Sequence, residues 1–392
     1  MYRSYLLKIA LFFLPGICVL LLNYVFLLKT GELLSLQQLT EKQQESGNSC
    51  IYGTAVHDDT FHYKIEGYAY RKPDVVVLGS SRVMQFRENF FKSSFYNFGG
   101  SMSSINQGEQ LIRQMTERHT PKLILLGIDF WWFNDKFSSV KYQEHSLPPK
   151  PRLRPEYLFD PISFLFHGKI PVSQYIRILS QPLTLSADGL CTIGISANFT
   201  GVGYSPDGSY NYGERLSGKV SEDTDVGFAD TINLIENEGQ RFEYGEHVNA
   251  EHLAHILSLV RSLQEQGIQV ALFFPPLAPA AYQEMNRHRD HYGYLSELRQ
   301  SLHQAGLEFY DFEDPSSVST TNCEFIDGFH GGDITNARLL LSMARQNAHV
   351  RAFADIPALK KMILYDQGRA SIANNRVTKE DETDFLKIGC KK

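Results

Sequence analysis

The chain has 392 residues, 43% of them hydrophobic and 21% charged, with a formal net charge of −6. That is an ordinary globular composition, apolar enough for a core and long enough for one large domain or two small ones. It contains no long basic run, which argues against nucleic acid as a partner, because phosphate binding needs a clustered Lys/Arg footprint.

Residues 9–28 read IALFFLPGICVLLLNYVFLL. The run is uncharged and long enough to cross a bilayer as a helix, with Pro15 and Gly16 as places to kink and Asn23 as its only strongly polar side chain. A cleaved signal peptide is the alternative reading. The run exceeds the usual apolar region of roughly 7–15 residues, and no A-x-A-like site follows it. Arg3 and Lys8 lie on the short side, so the positive-inside rule keeps residues 1–8 in the cytoplasm, makes 9–28 the anchor and exports the rest. Cys18 lies in the anchor. Cys50, Cys191, Cys323 and Cys390 are exported and fit no zinc spacing. They allow two disulfides in any of three pairings, or free thiols, and the sequence does not choose.

Residues 29–73 are polar and weakly periodic, which predicts a stalk or a first wrap of the domain. The regular domain is expected over 74–349. DVVVLGSS, from Asp74, reads as a buried parallel strand ending in a tight turn. SFYNFGG (94–100) is a second strand, 105–118 has helical spacing, and KLILLGID (122–129) is a third strand. Residues 133–249, rich in Pro, Gly, Ser and Tyr, then read as an inserted subdomain or cap, with short helices near 161–166 and 172–179. A helix at 250–266 ended by Gly267, the strand IQVALFFPP, a helix at 280–305 ended by Gly306, the strand LEFYDF (307–312) and a helix from about Ile334 complete the alternation. Residues 350–392 are expected to be a polar, poorly ordered tail. Strands alternating with helices imply a three-layer α/β domain with a five-stranded parallel sheet in the order 2-1-3-4-5.

In such sheets ligands bind beyond the carboxyl ends of the strands. There the sequence offers Ser81 as a nucleophile, His330 as its base and Asp327 to orient the imidazole. The backbone N–H groups of Ser81 and of Gly99 or Gly100 are candidate oxyanion donors. Ser81 could instead be a helix N-cap.

VVVLGSSRV (75–83), YNFGG (96–100), LLGIDFWWFN (125–134) and FIDGFHGGD (325–333) resemble, in this order, the conserved blocks of the SGNH hydrolase superfamily. Within it the chain is similar to the membrane-anchored branch tied to acylation of surface polymers, which includes alginate O-acetylation and teichoic acid D-alanine transfer proteins. The match covers about a third of the chain and leaves out the insertion. It implies a flavodoxin-like three-layer fold and acyl transfer or ester hydrolysis on an envelope polysaccharide through an acyl-serine, with Ser81, His330 and Asp327 as the triad. It implies no metal or organic cofactor, a membrane-bound O-acyltransferase as a partner, and a single-pass protein of a bacterial inner membrane with its domain periplasmic or extracellular.

Two positions depart from the family pattern. Ser80 stands where the family usually has Asp, and Asp129 where it usually offers an asparagine amide to the oxyanion. Either Asn134 takes over as donor, or Asp129 serves structure, or the oxyanion hole is incomplete. A catalytically silent envelope module that binds glycan or scaffolds a membrane complex is therefore a rival, and a lipase or thioesterase with an acyl channel is a third reading. Trp131 and Trp132 suit either a sugar-stacking platform or the core. Tyr204, Tyr210 and Tyr212 suit glycan contact or a β-hairpin, Arg82 reads as a solvated charge after the turn or as a residue that steers an anionic polymer, and His247, His252 and His255 read as surface histidines rather than a metal cluster.

The orientation has a direct test. Alkaline phosphatase fused after Gly31 is expected to be active; an inactive fusion, with a cytoplasmic reporter active at the same point, would reverse the topology.

Overall fold

The computed structural model describes residues 2–46, 50–57, 59–137, 152–180, 191–218, 224–372 and 382–390. Two compact units are present, one built from residues 1–59 and 148–206, the other from 60–147 and 207–392. The segment 133–249 is therefore not one insertion, since its middle belongs to the first unit and its ends to the second. Residues 148–151 of the proline-rich stretch and 373–381 of the expected tail lie outside the described residues.

The second unit carries a five-stranded sheet of β1 (Val75–Leu78), β2 (Phe95–Asn97), β3 (Leu123–Gly127), β4 (Gln269–Phe274) and β5 (Phe309–Asp311). Their order is β2-β1-β3-β4-β5, and every pairing is parallel. This is the order expected from the alternation.

Both faces of the sheet are covered, and the period of two along each strand assigns its side chains. Val76, Leu78, Ile124, Leu126, Val270 and Leu272 join a core with the apolar stripes of helices Thr60–Arg71, Ile105–Thr116, Ala250–Glu265 and Tyr294–Gln304. Val75, Val77, Leu123, Leu125, Ala271 and Phe273 face the other way, onto helices Asp333–Gln346, Ala348–Phe353 and Ile356–Asp366. The result is three layers, helix, sheet and helix.

Three expectations change. The first layer includes Thr60–Arg71, part of the segment read as a stalk or first wrap; it wraps the domain rather than standing as a stalk, and buries Phe61, Ile65 and Tyr68. The second includes two helices from the segment read as a tail. Leu359 is fully buried there, and Cys323–Cys390 ties the end of the chain back to the domain. The polar composition of 350–392 hid one short apolar stripe, which suffices because the sheet face supplies the rest of the core. The long helix expected over 280–305 is two, Pro279–Arg287 and Tyr294–Gln304. Tyr292 breaks it by turning inward, where its hydroxyl donates to the Phe242 carbonyl at 3.2 Å.

The first unit begins with a 29-residue helix, Tyr2–Thr30, long and apolar enough to cross a membrane. It runs through Pro15, and its last two turns pack inside the unit. Phe26 and Leu27 are fully buried, and Phe26 stacks on Tyr175 at 4.6 Å. Asn23 is satisfied by the Tyr175 hydroxyl at 2.7 Å and by donation to the Leu158 carbonyl at 2.6 Å. The short strand Ile51–Tyr52 pairs with Thr192–Ile193 in parallel and with Val202–Tyr204 antiparallel. The Cys50–Cys191 disulfide lies next to this pairing.

The C-terminal layer makes a stability prediction. Leu359→Ala is expected to cost about 2–5 kcal/mol, the range for emptying a fully buried leucine site. Chemical denaturation of the purified protein reads this directly, and an unchanged midpoint would show that the helix is dispensable.

Candidate active site

The nucleophile turn follows from the end of β1. Gly79 has φ +154°, and a Cβ there would sit 2.7 Å from the Gly127 carbonyl oxygen. Only glycine lets the chain turn this close to β3. Ser80 caps the short 3-10 turn Ser81–Val83, its hydroxyl accepting from the Arg82 N–H at 3.3 Å. The capping role considered for Ser81 thus belongs to Ser80, and the Ser81 hydroxyl is left for another partner.

That partner is His330. Ser81 Oγ lies 2.6 Å from His330 Nε2, and His330 Nδ1 lies 2.6 Å from Asp327 Oδ2. Asp327 Oδ1 accepts the Phe329 N–H at 2.9 Å and the His330 N–H at 2.7 Å, which folds the D-x-x-H segment into a tight turn. Burial alone would raise the Asp327 pKa. The charge of a protonated His330 and the bonds from its ring and from these two amides outweigh burial and hold it below the ordinary carboxylate value.

The loop is fixed on several sides. The Ile326 N–H donates to the His330 carbonyl at 2.9 Å, and the Gly332 N–H to that of Glu324 at 2.7 Å. Asp225 Oδ2 accepts the Gly328 N–H at 3.0 Å and the Thr231 hydroxyl at 2.6 Å. Fully buried Glu324 accepts two 3.0 Å bonds from Arg338. Asp333 takes Arg87 Nε at 2.8 Å and the Ile372 N–H at 2.8 Å. A Cβ on Gly332 would stand 2.0 Å from the Ala370 carbonyl oxygen, so the tail segment lies directly against this loop.

Beside the serine, Asn97 locks the end of β2 to the nucleophile turn. Its Nδ2 donates to the Val83 and Phe86 carbonyls, each at 2.9 Å, and its Oδ1 accepts the Gly99 N–H at 2.6 Å. The Gly100 N–H donates to the Gly79 carbonyl at 3.1 Å. Both glycine amides expected in an oxyanion hole are therefore engaged, whereas the Ser81 N–H has no acceptor among the described residues. Asn134 is no substitute donor. It is fully buried, its Nδ2 donates to the Glu243 carbonyl at 2.5 Å, and it is not among the residues lining the cavity beside Ser81. Lys64, also fully buried, donates to the Gly99 carbonyl, and burial lowers its pKa to about 7.

Arg82 differs most from its sequence reading. It is 2% exposed. Its Nε donates to the Phe329 carbonyl at 3.1 Å, its Nη2 to the Pro275 carbonyl at 2.6 Å, and its Nη1 to Asp129 Oδ1 at 3.2 Å. Asp129 thus serves as the counter-ion of a buried arginine. Burial pushes its pKa up, and the adjacent guanidinium opposes that shift. Ser80, Ser81, Arg82, Gly100, Asp129, Trp131 and Trp132 line a cavity of about 80 Å3, together with Ser103, Arg241 and Phe329. Both tryptophans are buried, and guanidinium groups lie over the face of Trp131, so neither forms an open stacking platform.

The three histidines point to separate partners, His252 to the Trp132 carbonyl at 2.6 Å, His255 to Glu109 at 3.0 Å and His247 to Glu297 at 3.8 Å. Asn97 is placed at the carboxyl edge by the sequence but without this role, and Lys64, Asp225 and Arg241 carry no signal there. Their roles depend on which chain segments meet, and a position such as Arg241, with φ +80°, leaves no residue-type signal.

No protein-family model matches the chain, and neither does any curated protein.

The buried pair predicts the effect of neutralising Asp129. Asp129→Asn leaves Arg82 buried without its counter-charge, and is expected to cost on the order of 3–5 kcal/mol and not to raise activity. Equilibrium unfolding beside an ester assay separates the outcomes; a stable, more active variant would make Asp129 an inhibitor of the oxyanion site.

Proposed function

We propose that this chain is a serine-dependent acyl transferase or esterase of the SGNH type, acting on O-acyl groups of an envelope polysaccharide. The observation that carries the reading is the hydrogen-bonded series Ser81–His330–Asp327 at the carboxyl edge of a parallel sheet. Serine oxygen attacks the acyl carbonyl while His330 Nε2 takes its proton. Asp327 keeps Nδ1 protonated and stabilises the imidazolium. The leaving hydroxyl recovers the proton from His330, and a sugar hydroxyl or water then attacks the acyl-serine by the reverse sequence. The Ser81 N–H is the donor available to the tetrahedral oxyanion, and Gly100 lines the same cavity.

The cavity favours a short acyl group such as acetyl. About 80 Å3 is several times below the roughly 300–1,000 Å3 of pockets for drug-sized ligands, which counts against a lipase or long-chain thioesterase. The apolar helix Tyr2–Thr30 supports a single-pass anchor with the domain outside a bacterial inner membrane, where a membrane-bound O-acyltransferase would supply acyl groups.

A second reading has its own observation. Because the Gly99 and Gly100 amides are engaged and Asp129 replaces an amide donor, a silent module that binds glycan or scaffolds a membrane complex shares this architecture. The two readings part on reactivity. A fluorophosphonate is expected to label Ser81. Ser81→Ala should remove nearly all triad-dependent rate, and His330→Ala added to it should cost little more. Asp327→Asn, which tends to set the wrong histidine tautomer, should keep the fold and reduce turnover on the order of 10⁴-fold. Full activity in well-folded Ser81→Ala, or no labelling of the wild type, would put the silent module first.

A further inference from the structure

We propose that residues 158–180 form a lipid-facing collar, resting in the interface of the bilayer that the N-terminal helix crosses. The collar rests on the reading of Tyr2–Thr30 as an anchor and is independent of the serine chemistry.

Two short helices carry an excess of exposed apolar surface. Asp160–Phe166 ends on Phe166, which is 83% exposed, and is preceded by exposed Phe159. Val172–Ser180 exposes Val172 and Ile176, one turn apart on a single side. Single apolar residues on a surface are ordinary. Four within residues 159–176, next to a helix long enough to cross a membrane, mark a contact surface.

A helix packed on one neighbour needs one apolar side, and Val172–Ser180 has two. Tyr175 and Ile178 turn inward, into a core with Phe26 and Leu27 of the N-terminal helix. At about 100° per residue, Val172 and Ile176 take a second side, and Ser173, Gln174 and Arg177 a third. One side for the anchor, one for lipid and one for water is the arrangement of a helix lying in the interface plane.

The anchor sets the depth. Residues 9–28 are uncharged and span about 30 Å at 1.5 Å each, the thickness of a hydrocarbon core. The collar is tied to the last turns of this run, through Asn23 to the Leu158 carbonyl and the Tyr175 hydroxyl, and through Phe26 to the Tyr175 ring. Lys29, the first charge after the run, donates to the Leu179 carbonyl at 2.6 Å. Exposed tyrosines mark the same limits. Tyr5 and Tyr24 are separated by about 28 Å along the helix, as in the aromatic belts at the two faces of a bilayer. The collar therefore sits at the end of the apolar run and not beyond it. Lipid is the occupant because the collar adjoins Leu21 and Leu22, exposed on the anchor just before Asn23. Its charges are Asp160, Lys169 and Arg177, and the two cations have stems long enough to hold their heads among phosphates while the apolar residues sit deeper.

The test reconstitutes the full-length protein in phospholipid vesicles and places a nitroxide on one cysteine at a time. Cys18, the free cysteine, is replaced by Ser, and the other four are held in two disulfides. Labels go to Phe166→Cys and Ile176→Cys, with Leu11→Cys as the reporter in the anchor and Lys42→Cys as the reporter in water. All four positions are exposed, so the labels leave the cores intact. Relaxation by oxygen, which concentrates in lipid, is compared with relaxation by a water-soluble nickel chelate. The oxygen-to-nickel ratio at Phe166 and Ile176 is expected to be several-fold above that at Lys42 and at or below that at Leu11. Phe159→Cys and Val172→Cys repeat the measurement if either collar variant fails to fold. Ratios equal to that at Lys42 place the segment in water and overturn the collar while the anchor stands. Weak relaxation by both agents places it under protein, so that a second protein or a second copy replaces the bilayer, which also overturns it. A ratio at Leu11 equal to that at Lys42 removes the anchor and the collar together.

Discussion

The guanidinium of Arg82 contacts three separate parts of the sheet edge. It begins on the turn after β1, pairs with Asp129 just after β3, reaches the Pro275 carbonyl just after β4 and holds the Phe329 carbonyl in the loop that carries His330. A charge with 2% exposure persists only if its donors are matched, because an unpaired buried ion is very costly. Satisfying Arg82 therefore fixes where the strand ends lie relative to one another. It also sets the backbone of Phe329, one residue from the imidazole. The short distances from Ser81 to His330 and from His330 to Asp327 follow from this constraint, since the residues joined are 249 and 3 positions apart in the chain.

The same logic recurs around the histidine loop. Arg87 with Asp333, and Arg338 with Glu324, are ion pairs on buried carboxylates that also accept backbone N–H groups from the C-terminal segment, Ile372 on the other oxygen of Asp333 and Gly368 on an oxygen of Glu324 that Arg338 shares. Cys323–Cys390 adds a covalent tie between the region just before the loop and the end of the chain. The C-terminal segment thus acts as part of the scaffold of the site, although none of its described residues lines the cavity.

Charge placement distinguishes the two arginines at Trp131. Both lie over its ring, at 5.3 Å for Arg82 and 5.9 Å for Arg241. Arg82 is locked by a carboxylate and two carbonyls, which makes it architectural. Arg241 lies over the faces of Trp131 and Phe329, within electrostatic reach of Asp129 but with no ion pair to it. One arginine therefore ties the strand ends together and the other lines the cavity.

The sequence alone determined the α/β class, the strand order β2-β1-β3-β4-β5 and the carboxyl-edge positions of Ser81, Asp327 and His330. These depend on local apolar runs, on period and on the handedness of crossovers, all written in contiguous residues. It also marked the apolar N-terminal helix. The division of 133–249 between two units, the layer built by 348–366, the pairing of the cysteines, the burial of Arg82, the engagement of the Gly99 and Gly100 amides and the placement of Arg241 were decided only by tertiary structure. Each depends on which distant segment arrives beside a residue. A polar side chain such as Arg82 looks the same in a sequence whether water or a buried carboxylate will meet it, and the energetic difference between those outcomes exists only once the chain has closed around it.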